Sequence, residues 1–401
     1  MFDLICGLQV FMDSLEKSGV DFMHRLSRDM FLNVGVEYQN SDRFWEKVES
    51  RRASGLKNQN PEKFSAENLH KDIDIAAHFG TSTPDADQYL LHLAPGWDKN
   101  RHAVPVVLVH GAGLDATSYT DLYAMGFQGL QQQLVEMGYR VFAVTFSHPH
   151  GDNFNQAGQL ADALTRVKEL TKAPQVDIIA HSKGGLVARL YLADKSCTPY
   201  RGDVRRYIML GVPNMGLDYP FRNPLLNYLV YTSGSNGVMA WDQILSMGTM
   251  VNTSHRAIYN DGCFPGQAQM LYRWDDEYPL DILQQDWWTT YFGGSGFVSH
   301  SRGIDTAIKD GDSLIARLDK WGIAPDVEFS ILAGNNSRFN TFSGESSGPS
   351  DGIVFIASVL HSDGLQNDGA KIRDKTVLHV NHMELLFAHR VGRWLDSQLR
   401  D

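Results

Sequence analysis

Residues 176–194 read VDIIAHSKGGLVARLYLAD. The stretch is apolar up to Ala180, as in a strand with both faces covered, and turns amphipathic at Gly184, as in a helix laid on a sheet. Only His181, Ser182 and Lys183 are left for the change of direction, so Ser182 stands on a sharp strand-to-helix turn. Ala180 and Gly184 flank it with small groups that let such a turn close.

Outward from this junction the same rhythm repeats. VPVVLVHG, FQGLQQQLVEMG, YRVFAVTF, AGQLADALTRVKELT, VDIIAHS, GGLVARLYLAD and VRRYIMLGVP alternate strand with helix, and the strands show no polar face. That pattern predicts an α/β fold: a mostly parallel sheet with helices on both faces. DVEFSILAG and KTVLHVN add two later strands, and MELLFAHRVGRWLDSQL closes the chain as a helix.

Two regions break the rhythm. Residues 1–85 are read as a helical N-terminal extension, on the helical spacing of Phe11, Met12, Leu15, Phe22, Met23 and Leu26. Residues 217–310 crowd Phe221, Tyr228, Tyr231, Trp241, Phe264, Tyr272, Trp274, Trp287, Trp288, Tyr291, Phe292 and Phe297 among Gly, Asn and Ser. This is an insertion between two halves of a core, 86–216 and 311–401. It makes either a small core of its own or a cap over the strand ends, where ligands of such sheets bind.

Composition narrows the partners. A net charge of −11, from 36 basic and 47 acidic residues, offers no broad cationic surface for nucleic acid. Three cysteines, Cys6, Cys197 and Cys263, have no metal-ligand spacing. No window resembles a transmembrane segment and no secretory signal is present, so the chain is expected to be cytoplasmic, or secreted after loss of a leader or by a non-classical route.

A serine is a weak nucleophile near neutral pH and needs a base, a group orienting that base, and donors for the oxyanion. The elbow pattern G-x-S-x-G reads here Ala180-His181-Ser182-Lys183-Gly184. With AHSKGG the sequence resembles the α/β-hydrolase superfamily, most closely bacterial-type lipases in which alanine replaces the first glycine. The resemblance covers roughly residues 104–215 and 327–395. It implies Ser182 as the catalytic nucleophile and the Lys183 N–H as one oxyanion-hole donor. At position 183 a lysine is less usual in that branch than a small, apolar or amide side chain, so the resemblance assigns its side chain no role.

The loop His110-Gly111-Ala112-Gly113 is similar to the lipase oxyanion loop, which makes the Ala112 N–H the second donor; with no G-K-[ST] following, it is not a phosphate loop. His382, in VNHMELL, matches the lipase histidine segment. Its rival His379 falls inside the strand, where regular sheet geometry ill suits a base that must reach Ser182. Asp351, in GPSDGIV, matches the segment of the acid, with Asp363, Asp368 and Asp374 as competitors in a solvated loop. His181, His148 and His150 are read as fillers of loops or pockets.

Glu384 stands where one lipase branch carries a calcium carboxylate, and His148-x-His150-x-Asp152 is a loose zinc-like cluster. Neither completes a ligand set, so no metal and no cofactor are expected. The resemblance implies a serine carboxylic-ester hydrolase, a lipase or esterase acting on hydrophobic esters, with transient contact at a lipid interface. A phospholipase, a polyhydroxyalkanoate depolymerase and an acyltransferase use the same machinery. A non-catalytic ligand-binding relative is the reading outside enzymology.

Overall fold

The computed structural model describes residues 41–56, 61–66, 68–120, 128–223, 240–280, 285–339, 342–343 and 348–400. Its main sheet is built from β1 (Lys47–Arg52), β2 (Gln88–Leu93), β3 (Val106–Val109), β4 (Val141–Phe146), β5 (Val176–His181), β6 (Val204–Leu210), β7 (Glu328–Gly334) and β8 (Lys371–Leu378). Their spatial order is β1-β2-β4-β3-β5-β6-β7-β8. The β1–β2 and β2–β4 pairs are antiparallel, and every pair from β4 to β8 is parallel.

The missing polar face of the strands has a direct cause. In β3, Val107 and Val109 enter a core shared with α3 (Asn153–Thr171) and α4 (Lys183–Leu192), through residues such as Leu160, Leu164, Leu186 and Leu190. The intervening Val106 and Leu108 point the other way. They meet Leu130 and Leu134 of α2 (Leu130–Glu136) and Val391, Leu395 and Leu399 of the C-terminal helix α6 (His389–Leu399). Helices cover both faces, so both sets of side chains must be apolar.

Edge strand β8 departs from this rule: its side chains are exposed or half-buried in alternation, because it has a neighbour on one side only. The N-terminal region departs from the helical expectation. Residues 1–40, with Phe11, Met12, Leu15, Phe22, Met23 and Leu26, lie outside the described residues. Among the described residues from 41 to 85, only α1 (Ile73–Phe79) is α-helix. Residues 47–52 are a strand, since alternating exposed and half-buried side chains suit the outer edge of the sheet beside β2. Arg166 of α3 grips Glu49 of β1 at 2.9 and 3.2 Å and holds its carboxyl down at about 2.

Within residues 217–310, four short strands pair antiparallel in the order 249–252, 243–246, 299–301, 294–295, and α5 (Gln285–Phe292) packs beside them. Phe221, Phe264, Trp274 and Tyr291 are buried, whereas Trp288, Phe292 and Phe297 are exposed. Tyr228 and Tyr231 lie outside the described residues, as does the Trp287 side chain. A buried ion pair roots the insertion: Arg222 Nη2 donates to Asp218 Oδ2 at 2.7 Å, and the Tyr291 hydroxyl donates to the same oxygen at 2.7 Å.

Candidate active site

Every site residue singled out in the sequence follows the carboxyl end of a parallel strand. Ser182 follows β5, the 110–113 loop follows β3, Asp351 follows β7 and His382 follows β8. This is the end of an open parallel sheet at which ligands bind.

Ser182 has φ +52° and ψ −129°, a conformation that costs a non-glycine residue about 1–3 kcal/mol and persists only when neighbours hold it. Its N–H donates to Leu210 O at 3.0 Å, and its carbonyl accepts from the Gly185 N–H at 2.9 Å. Gly184 is required on the far side: a side chain there would strike the carbonyls of Val109 and His110 at the end of β3. Across the gap, a methyl on Gly111 would lie 3.0 Å from Ser182 Cβ and 2.9 Å from His181 Nδ1. The elbow and the 110–113 loop are therefore in close contact. Among the described residues, neither the Ala112 nor the Lys183 N–H donates a hydrogen bond to another group.

His382 and Asp351 are paired. His382 Nδ1 and Asp351 Oδ2 are 2.7 Å apart, the His382 N–H donates to Asp351 O at 2.9 Å, and both residues are buried. The other carboxylate oxygen accepts from the amides of Ile353 and Val354 at 3.1 and 2.8 Å. Both oxygens of the carboxylate thus accept hydrogen bonds, and the contact with Asp351 is made through Nδ1 of the imidazole, which leaves Nε2 outside that pair. No hydrogen bond joins Ser182 Oγ to His382 among the described residues.

The sequence rivals go elsewhere. His379 is exposed on Asn335, Asp374 accepts from the Trp394 indole at 2.8 Å, and Asp363 and Asp368 are exposed. His148 bridges the Lys63 carbonyl and the His150 amide at 2.9 and 3.0 Å; Asp152 caps α3 through the amides of Phe154 and Asn155. Among the described residues no group of three or more His, Cys, Asp or Glu side chains is placed to hold a metal ion.

Three contributions escaped the sequence reading. Glu384 accepts from the Asn381 amide at 2.8 Å while Asn381 Oδ1 accepts from the Met383 and Glu384 amides at 3.0 and 2.9 Å. This capping-box exchange fixes the turn carrying His382, and the N-x-x-E spacing of NHME was its legible sign. His181 lies with its ring centroid 4.6 Å from that of His382, and its Nε2–H donates to the His382 carbonyl at 3.1 Å. Burial drives its pKa well below the ordinary value, which keeps it neutral and suited to that supporting bond. Gly211, at φ +58°, underlies the acid–base pair: a methyl there would come 3.1 Å from Asp351 Oδ2 and 3.2 Å from His382 Nδ1. Neither of these two had a local sequence signal.

The family model described as Lipase (class 2) matches residues 103–212, the half of the core that carries the elbow and the 110–113 loop. Among solved structures, the chain is similar to a mature-form lipase of Bacillus licheniformis, at 16% identity over 76% of this chain and 95% of that one, with a TM-score of 0.42. A carboxylesterase of Bacillus subtilis matches at 10% identity over 91% and 96%, TM-score 0.40. Naproxen esterase of Bacillus subtilis matches at 12% over 92% and 99%, TM-score 0.39. The strand order and the strand-to-helix elbow are those of an α/β-hydrolase fold, and the segment 103–212 that holds the elbow is similar to class 2 lipases.

Proposed function

We propose that Ser182, His382 and Asp351 form a catalytic triad and that the Ala112 and Lys183 amides form its oxyanion hole. The observation that carries this is the buried 2.7 Å bond between His382 Nδ1 and Asp351 Oδ2 beside a serine held at positive φ. Ser182 Oγ attacks the ester carbonyl while His382 Nε2 takes its proton. The carbonyl π electrons move onto oxygen, where the two amides receive them. The tetrahedral intermediate then expels the alcohol, which takes the proton from His382 and leaves an acyl-Ser182. Water, deprotonated by the same imidazole, repeats the cycle and releases the acid. Each amide donor supports the transition state by about 3 kcal/mol.

The substrate reading is an ester with a hydrophobic acyl group. Its support is the insertion, which exposes Met247, Met250, Val251, Trp288, Phe292 and Phe297. No helix among the described residues is long and apolar enough to cross a membrane.

Two measurements test this. A fluorophosphonate probe is expected to label the wild type and not Ser182→Ala; equal labelling of both sinks the nucleophile assignment, and no labelling of either favours a ligand-binding protein. A series of nitrophenyl esters is expected to favour the longer acyl chains, with triglyceride emulsion hydrolysed as well. Preference for short soluble esters with no gain at an interface removes the lipase version, and stronger turnover of phospholipid or polyhydroxyalkanoate reassigns the substrate.

A further inference from the structure

Lys183 immediately follows the nucleophile, yet its side chain is only 1% exposed. Its Nζ donates to Gln156 Oε1 of α3. A methyl on Gly266 would lie 2.8 Å from that Nζ, so the aliphatic stem and ammonium run against the backbone of the insertion. Among the described residues no carboxylate oxygen comes within ion-pair distance of the nitrogen, although Glu62 and Asp152 both favour its charged form.

Polar bonds converge around this lysine from separate stretches of chain. Gln156 Nε2 donates to His148 O at 2.7 Å, and Glu62 Oε1 accepts from the Asp152 amide at 2.6 Å. The Gly266 N–H donates to His150 O at 3.0 Å, and Gln269 Nε2 donates to Asp152 Oδ2 at 2.6 Å. The start of α3, Glu62 and residues 264–269 are thus tied to one another around the Lys183 side chain, whose ammonium is bonded to Gln156 and lies against Gly266. An ammonium removed from water is costly, and a methionine of the same length would fill the space without that cost. The group therefore calls for a role that packing does not supply.

We propose that the Lys183 side chain is a positioning residue for the oxyanion site: anchored at Gln156, it sets the direction of the residue 183 amide and places a positive charge behind it. This rests on the reading of that amide as an oxyanion donor. The charge is adjustable. Burial lowers the Lys183 pKa to about 7 and raises that of Glu62 to about 7. The titratable groups facing the ammonium are Glu62 from the 61–66 segment, Asp152 at the start of α3, His148 after β4 and His110 after β3; residues 264–269 contribute none. Both histidines are held neutral by burial, so the carboxylates set the balance.

The test compares wild type, Lys183→Met, Gln156→Leu and Glu62→Gln in nitrophenyl-ester kinetics from about pH 6 to about pH 10. In Lys183→Met, kcat is expected to fall about tenfold with KM little changed, and affinity for a boronic acid that mimics the tetrahedral oxyanion should fall by a similar factor. Wild-type kcat should decline as Lys183 loses its proton above neutral pH. That decline should vanish in Lys183→Met, and should move to lower pH in Glu62→Gln and Gln156→Leu, which remove a carboxylate and an acceptor that favour the cation. A folded Lys183→Met with wild-type kcat and pH profile overturns the proposal, as does a change confined to KM. Should Lys183→Met not fold, Gln156→Leu decides: an unmoved alkaline limb overturns it. Fluorophosphonate labelling of Ser182 in the same preparations reports the triad reading separately, so the two failures are distinguishable.

Discussion

At the scale of single residues, the site depends on positions with no reactive group. Gly211 has a left-handed φ of +58° and lies within contact of the Asp351–His382 bond and of Leu385. Gly211→Ala adds backbone strain of about 1–3 kcal/mol and pushes a methyl at that bond. Its kcat on a nitrophenyl ester should fall by about a hundredfold, with a lower urea midpoint. Unchanged kcat in a folded variant would show that the acid–base geometry tolerates the intrusion. The residues proposed as nucleophile, acid and base were readable, because each sits in a short pattern dictated by a turn. Gly211 and His181 were not, because each acts through a partner distant in the chain.

At the scale of elements, the insertion hangs from the Asp218–Arg222 pair. Asp218 also accepts from the Trp274 amide and the Tyr291 hydroxyl, and the Arg222 guanidinium lies over the rings of Tyr291 and Phe355. Asp218→Asn leaves that guanidinium buried without its counter-charge, a loss of about 3–5 kcal/mol. The expected result is faster proteolysis within 217–310 and a lower thermal midpoint; proteolysis at the wild-type rate would count against this root. The sequence led to the expectation of an insertion here, from its aromatic crowding and the break in the strand–helix rhythm. It did not reveal the antiparallel four-stranded sheet inside it, since its strands are two to four residues long and carry no sustained alternation. Nor did it reveal β1, whose charged, alternating KVESRR makes sense only beside β2.

At the scale of the whole molecule, buried histidines couple the fold to pH. Burial lowers His92, His110 and His148 to about 3 and His70 to about 4. Two are bonded at both nitrogens: His110 Nδ1–H donates to Gly111 O while Nε2 accepts from the Phe146 amide, and His148 Nε2–H donates to Lys63 O while Nδ1 accepts from the His150 amide, so a second proton would break a bond. The folded pKa values lie below the unfolded value of about 6.5, so the unfolded chain takes up more protons between those limits. Their contribution is complete above about pH 6.5 and is lost as pH falls toward the folded values. Glu62, Asp115 and Asp242 oppose this, since burial raises their pKa values and so favours the folded state as pH falls, while buried His181 adds to the histidine side. Urea midpoints should therefore drop steadily from about pH 6.5 to about pH 4.5, before most carboxylates titrate. A flat midpoint across that window would mean that these histidines are hydrated or charged in the folded protein.

By itself the sequence determined the parallel sheet with helices on both faces, and it supplied the proposed serine, acid and histidine in that chain order. Strand periodicity and turn chemistry are local, and an elbow needs only its five residues to be recognised. The tertiary structure alone decided which buried groups come together there: Gly211 beneath the Asp351–His382 pair, His181 under the His382 turn, and the polar cluster around Lys183. Those roles come from segments far apart in the chain that meet because the strand ends converge. The side chain left unexplained in AHSKGG acquires partners only through residues 62, 152, 156 and 266, which no local pattern links to position 183.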